Sequence, residues 1–305
     1  MSLAIRPFAE ADHAAARAIA AAVAADYPLA DTWHAGAQYE EGDGPLRWVA
    51  VDAQSQAVVG YAALREARPP RYRLRIMVHP EWERHGAGGM LYRAVLAAAE
   101  VAGAATLQAR VRKTKTGALE FLYRRGFAFI HEMVGLRLDL GRYELGAFMG
   151  AVARVRAQGI EITTLAQEQA AGAEWLGKFC ALQMAVLEGW ADPDPGPQPH
   201  VTPAFFARSL DPAKGHEEEV FIAKAGDKYV GYGGSPFMAT AVAPAYRNRG
   251  LATALKVLII QNAKARGVPT LMTCSASPAM IAINTKLGYV AYCTEVRLRK
   301  MVRGF

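Results

Sequence analysis

Residues 242–252 read Val242-Ala243-Pro244-Ala245-Tyr246-Arg247-Asn248-Arg249-Gly250-Leu251-Ala252. Proline and glycine punctuate this stretch, and the apolar residues that follow it, Leu255, Leu258 and Ile259, recur at helical spacing. The pattern predicts a strand ending at Val242, a tight turn, and a helix opening at Gly250. A helix amino terminus leaves several N–H groups unpaired and carries partial positive charge, which suits it to a diphosphate. Gly250 and Ala252 let that backbone approach an anion without a side-chain clash, and Arg247, Asn248 and Arg249 add charge and donors. The cradle is expected to run from Ala241 and Val242 through Gly250, Leu251 and Ala252 to Thr253.

Moving outward, the same pattern occurs a second time. Met77-Val78-His79-Pro80 leads through Glu83, Arg84 and His85 into Gly86-Ala87-Gly88-Gly89, and then into a helix marked by Leu91, Val95 and Leu96. The flanks match as well. Upstream, Val58-Val59-Gly60-Tyr61 pairs with Tyr229-Val230-Gly231-Tyr232; downstream, Arg125-Gly126-Phe127 pairs with Leu287-Gly288-Tyr289, where a helix stops at glycine and a strand begins. Four features in one order identify a duplication. The expected domains are 1–141 and 159–305, joined by a helical linker over 142–158.

Alternation and periodicity supply the elements of the first copy. Leu3 to Phe8 reads as a strand, and Asp12 as the cap of an alanine-rich helix reaching Asp26. Strands are expected at Arg47–Asp52, Ala57–Leu64, Tyr72–Val78, Thr106–Val111 and Phe127–Leu138, with helices to Ala102 and over Lys115–Arg125. The second copy repeats the order, with strands near Gly159–Ile162, Val220–Lys224, Tyr229–Gly233, Phe237–Val242, Thr270–Cys274 and Val290–Leu298. Each copy is thus an α/β domain with a mixed sheet and helices on both sides.

The glycine turns fit neither common phosphate loop. Gly86-Ala87-Gly88-Gly89 lacks the lysine and hydroxyl residue of a P-loop, and no acidic residue follows to hold a ribose as in a dinucleotide fold. The stretch V-x-P-x-x-R-x-x-G-x-A instead resembles the pyrophosphate-binding motif of GNAT N-acetyltransferases. In tandem layout the chain is similar to mycothiol synthase and some antibiotic acetyltransferases. The resemblance implies acetyl-CoA (CoA) as cofactor, bound in the second copy by Ala241, Val242, Arg247–Thr253 and Asn284. The matching residues of the first copy are Met77, Val78, Arg84, His85, Gly86, Ala87, Gly88 and Gly89. Glu83 stands where the family has arginine or glutamine, so the first copy is expected to be the degenerate one.

Acyl transfer from a thioester to an amine needs a neutral amine, a polarised carbonyl and a proton for the leaving thiolate. By resemblance, backbone amides of Ile76–Val78 and Ala239–Val242 would hold the carbonyl. The family's tyrosine acid, four residues before the Gly-Phe pair, is matched by Leu122 in the first copy and Asn284 in the second. Tyr123 lies one residue later, a rotation of about 100° on a helix. Asn284 resembles a variant that binds or orients CoA. Glu66 is the side-chain base candidate of the first copy, and Ser235 occupies the matching region of the second. The acidic groups Glu40, Glu41, Asp43 and Asp192, Asp194 precede the core strands and are placed to attract a cationic amine. The run Asp192-Pro193-Asp194-Pro195-Gly196-Pro197 is expected to be a surface loop.

Composition narrows the remaining classes. The chain has 305 residues, 52% hydrophobic and 21% charged, with a formal net charge of +7. The basic residues are dispersed among acidic ones and carry no nucleic-acid signature, so no nucleic-acid partner is expected. No apolar run approaches the roughly 20 residues of a membrane helix, and no secretory signal opens the sequence. Cys180, Cys274 and Cys293 lie far apart, which predicts buried thiols and a cytoplasmic protein. His200 and His216 have no ligand partner at a useful spacing, and no metal is expected. These readings converge on an N-acetyltransferase acting on a small-molecule amine, as a monomer with pseudo-dimeric domains or a homodimer. The alternative is a non-catalytic acyl-CoA-binding or sensing protein.

Overall fold

The computed structural model describes residues 2–24, 46–68, 70–144, 146–148, 150–188, 219–234 and 239–302. The chain divides into two compact units: Met1–Ile130 with Val296–Phe305, and His131–Glu295.

In the first unit the order is β1 (Leu3–Pro7), α1 (His13–Ala24), β2 (Leu46–Asp52), β3 (Val58–Arg68), β4 (Arg71–Val78), α2 (Ala87–Val101), β5 (Thr106–Arg112) and α3 (Thr116–Tyr123). Strands β1 to β4 form an antiparallel meander, and β5 joins β4 in parallel, giving the expected mixed sheet. Helix α2 turns Leu91, Tyr92, Val95 and Ala99 inward at helical spacing and packs them on the sheet. Gly60 makes that contact possible, because a Cβ there would lie 3.0 Å from Leu91 Cδ1. Asp12 does not cap α1. Its carboxylate turns back to accept from the Ala9 amide and from both terminal nitrogens of Arg6.

The second unit opens within β6 (Ala128–Asp139) and continues through α4 (Gly150–Arg156), β7 (Ile160–Thr164), α5 (Leu165–Ala171) and α6 (Trp175–Glu188). There follow β8 (Val220–Ala225), β9 (Lys228–Gly234), β10 (Ala239–Val242), α7 (Leu251–Ala265), β11 (Thr270–Ser275), α8 (Pro278–Lys286) and β12 (Val290–Met301). Its antiparallel sheet has the order β10-β9-β8-β7, while β11 pairs with β6. Gly231 repeats the role of Gly60, since a Cβ there would lie 3.4 Å from Leu255 Cδ1 of α7. The segment expected as a linker is core material here: Tyr143, Ala151 and Val155 are buried in one cluster with Leu251, Leu255 and Leu287.

The units do not follow the sequential boundaries expected at 141 and 159. From His131, the last strand of the first copy belongs to the second unit and pairs with β11; from Val296, β12 belongs to the first unit, next to β5. The two strands have the same length and nearly the same burial pattern, so each offers an equivalent edge to either sheet. The cysteines form no disulfide and are half-buried, not fully buried as expected.

Candidate active site

Both glycine turns have one backbone. A short 3-10 turn (Pro80–Trp82 and Pro244–Tyr246) is followed by Glu83 at φ −63°, ψ 148° and by Arg247 at φ −67°, ψ 161°. Arg84 and Asn248 then adopt the left-handed region at φ 66° and 62°, and Gly86 and Gly250 do so at 94° and 86°. A 15-residue helix starts immediately after each glycine. The first intrahelical bonds run from Met90 N to Gly86 O and from Ala254 N to Gly250 O. Helix geometry therefore leaves the amides of residues 87–89 and 251–253 without a helical acceptor, pointing out of the turn. A Cβ on Gly86 would meet nothing within 4 Å, and one on Gly250 only Val155, at 3.9 Å. Glycine is required at these two places by positive φ, and crowding contributes little.

The strand before each turn has an open edge. Strand β4 pairs with β5 only from Arg71 to Arg73, although its pairing with β3 continues to Val78. Strand β10 pairs with β9 alone. The His79 amide donates to Val59 O and the Ala243 amide to Val230 O. Antiparallel alternation then turns the amides of Ile76 and Val78, and of Thr240 and Val242, away from β3 and β9. Arg247 Nε reaches Val242 O at 3.3 Å, on that same outer side. The amides of Met77 and Ala241 face inward, and the Met77 side chain is buried with α1 residues. The open-edge donors are therefore Thr240 and Val242 in one copy and Ile76 and Val78 in the other.

Side chains around the turns differ. In the second copy Arg247, Asn248 and Arg249 are exposed, the Arg249 guanidinium lies 5.0 Å from the Tyr246 ring centre, and Gln158 donates to Arg249 O. In the first copy Glu83, Arg84 and His85 are exposed, and His85 Nδ1 contacts Glu83 O at 2.8 Å. Arg125 stacks 3.5 Å over the Phe121 ring, and its Nη2 would lie 3.6 Å from a Cβ on Gly89. The first copy thus has a cation beside its helix start that the second does not have at the matching Leu287.

The positions expected to act on the thiolate separate sharply. Asn284 is 0% exposed, and among the described residues neither its amide nitrogen nor its carbonyl oxygen has a hydrogen-bond partner. Its counterpart Leu122 is an ordinary core residue. Tyr123 is 46% exposed at the end of α3. Glu66 is exposed on β3 opposite Tyr72, about 20 Å of extended strand before the turn at 3.3 Å per residue. Glu66 is thus remote along the strand from the first glycine turn, while Tyr123 lies on α3 between Phe121 and Arg125, which adjoin Gly88 and Gly89. Ser235, the acidic groups at 40–43 and 192–194, His200 and His216 lie outside the described residues. Among the described residues no three His, Cys, Asp or Glu side chains are grouped as a metal site needs. No described helix is long and apolar enough to cross a membrane.

Sequence reading missed Lys256 on α7. It is 5% exposed, its ammonium lies 5.5 Å from the Tyr289 ring centre, and burial pushes its amine down to about 8. The signal was present: a lysine between Leu255 and Val257, where the first copy has Tyr92.

The model of the acetyltransferase (GNAT) family matches residues 15–127 and 184–289. No curated protein matches the chain. A GCN5-related N-acetyltransferase from Sphaerobacter thermophilus superposes with a TM-score of 0.71 at 19% identity, covering 99% of this chain and 96% of that one. A tandem GNAT protein from the clavulanic acid biosynthesis pathway gives 0.71 at 18% identity, with 100% of both chains covered. The glucosamine N-acetyltransferase region of a fungal multi-domain beta-N-acetylglucosaminidase gives 0.75 at 14% identity, covering 97% of this chain and 38% of that one. These likenesses are of fold. The repeated turn, the open strand edge before it and a family match in both halves lead to one conclusion: the chain belongs to the acetyltransferase (GNAT) family, whose chemistry is acyl transfer to an amine, and carries its fold twice in tandem.

Proposed function

We propose that the second copy transfers an acetyl group from acetyl-CoA to the amine of a small molecule. The amine nitrogen attacks the thioester carbonyl, the C–S bond breaks, and the proton lost by the amine is returned to the thiolate through water. The amides of residues 251–253 would hold the diphosphate, and the outward amides of Thr240 and Val242 the acyl arm and its carbonyl. One observation favours the second copy: Asn284 is buried with an amide that has no hydrogen-bond partner among the described residues. Such a group costs about 1–3 kcal/mol unless a ligand or water pairs with it. In the family's tyrosine position it would contact the coenzyme near its sulfur. The first copy, with Leu122 there and Glu83 in its turn, would be the degenerate partner. We take the compartment to be the cytoplasm, in keeping with three cysteines that form no disulfide, with neither nucleic acid nor membrane as partner.

One observation favours the alternative of an acyl-CoA-binding or sensing protein. The second turn, Pro244 to Ala252, carries no carboxylate or imidazole, so deprotonation of the amine there would fall to water. Thiol release from acetyl-CoA across a panel of small amines separates the readings. Transfer is expected for the wild type and is expected to fall by about two orders of magnitude in Gly250→Glu, which combines left-handed strain of about 1–2 kcal/mol with a carboxylate against the diphosphate. Tight coenzyme binding with no thiol released from any amine supports the sensor. Equal turnover by wild type and Gly250→Glu removes the second copy from the mechanism.

A further inference from the structure

Lys256 has no role in the site as described so far. It is the sixth residue of α7, and Tyr92 is the sixth of α2, so the helix itself carries a cation there in the second copy, whereas in the first the cation at that place is Lys300, bonded to the Tyr92 hydroxyl. A lysine that is 5% exposed ordinarily has a carboxylate beside it. Lys256 has no hydrogen-bond or ion-pair partner among the described residues, and its amine is shifted by burial alone, with no charged group contributing. The Lys256 ammonium lies against the Tyr289 ring, and burial and the Tyr143 phenol keep the Tyr289 hydroxyl neutral.

Its place on the helix shows where a counter-charge would come from. Lys256 lies one turn after Ala252 and Thr253, about 6 Å along the axis at 1.5 Å per residue. Helical side chains lean toward the amino terminus, so the lysine stem runs back toward the amides of residues 251–253. In the first copy the matching face carries the same neighbourhood: Gly88 and Gly89 adjoin Phe121 and Arg125, and Tyr92 packs on Phe121 and Phe127. Both copies therefore set positive charge on this face: Arg125 and Lys300, which donates to the Tyr92 hydroxyl at 2.9 Å, in the first, and Lys256 in the second. Arg125 and Lys300 are half-buried and Lys300 has hydrogen-bond acceptors, whereas Lys256 is buried. The exposed charges of the adjoining turn, Arg247 and Arg249, are also positive.

We propose that Lys256 is a positioning residue of the second coenzyme site: its ammonium is the internal counter-charge to the diphosphate, and coenzyme binding carries a proton onto it. The proposal rests on the transferase reading above. The amine is part-neutral near pH 8 in the free protein, and an adjacent anion raises its proton affinity. Affinity is then full below about pH 8 and declines as pH rises through the higher value of the bound state.

The test is calorimetric titration of acetyl-CoA, without acceptor, into the full chain at pH 8.5 in buffers of different ionisation enthalpy. The wild type is expected to take up on the order of half a proton per coenzyme bound at the second site. Lys256→Met is expected to fold, since a buried amine that must lose or hide its charge opposes folding at neutral pH, and to bind about tenfold more weakly with no uptake. Lys256→Arg, charged throughout, should keep most of the affinity and also lose the uptake. Wild-type binding without proton uptake overturns the proposal, whatever the variants do, and leaves the transferase reading standing. Equal affinity and equal uptake in Lys256→Met overturn it as well. Absence of binding by any form overturns both readings.

Discussion

Glu83 and Arg247 occupy the same point of the two glycine turns, in the same backbone conformation, with opposite charge. Every backbone feature that could hold a diphosphate is present twice: the left-handed pair, the free helix amides and the open strand edge. What differs is the set of side chains under and around it, with Leu122 and Tyr92 in one copy and Asn284 and Lys256 in the other. Duplication has preserved the anion cradle, which main-chain atoms build, while the side chains that would tune or use it have diverged. At these two positions the second copy carries polar groups in its interior, and buried polar groups are costly unless something pairs with them.

Exchanging the residue at the tyrosine position is the sharpest way to break this comparison. Asn284→Leu, which installs the first copy's residue, should lower transfer by about 10- to 100-fold, on the scale of a lost transition-state hydrogen bond. The same change should leave stability equal or raise it, because an unpaired buried amide costs about 1–3 kcal/mol. Leu122→Asn should do the reverse in the first copy, losing about 2–4 kcal/mol of stability from packing and desolvation with no effect on transfer. Thermal unfolding and thiol release on the same samples read both quantities. Stability lost in Asn284→Leu with transfer intact would reduce Asn284 to a structural residue.

Reversing the turn charges probes a smaller effect. Glu83→Arg should tighten coenzyme binding at the first turn, and Arg247→Glu should weaken it at the second, each by about three- to tenfold at low salt. Both side chains are exposed, so the changes should shrink by more than half at about 1 M salt, where the Debye length is about 3 Å. An effect that ignores salt would point to altered backbone geometry, which the matching dihedrals argue against.

Much of this was legible in the sequence because it is local. Positive-φ glycines, proline before a turn and apolar residues one helical turn apart mark both cradles without reference to the rest of the chain. Gly60 and Gly231 were visible as a repeat, although their reason, the close approach of Leu91 and Leu255, is tertiary. The ownership of the last strands was not legible. Phe127–Leu138 and Val290–Leu298 have the same alternation, and nothing local distinguishes the sheet each one joins. Asn284 could be placed on its helix but not recognised as buried, since a single amide among Ile283, Thr285 and Lys286 reads as a surface residue. Lys256 was hidden for the opposite reason: lysine in an apolar helix ordinarily reaches solvent along its stem.

The smallest expected effect concerns Tyr123, which resembles the family's acid by residue type alone. On α3 the buried position is Leu122, and one residue of helix turns Tyr123 outward to 46% exposure. The phenol is thereby turned away from the buried face that carries Leu122. Tyr123→Phe should therefore change transfer less than twofold, within the range of surface substitutions, and leave unfolding unaltered. The same insensitivity should persist in a Gly250→Glu background, where any transfer carried by the first copy would no longer be masked by the second. A tenfold loss there would show that the first copy catalyses through Tyr123, and that its side chains have diverged in function without losing it.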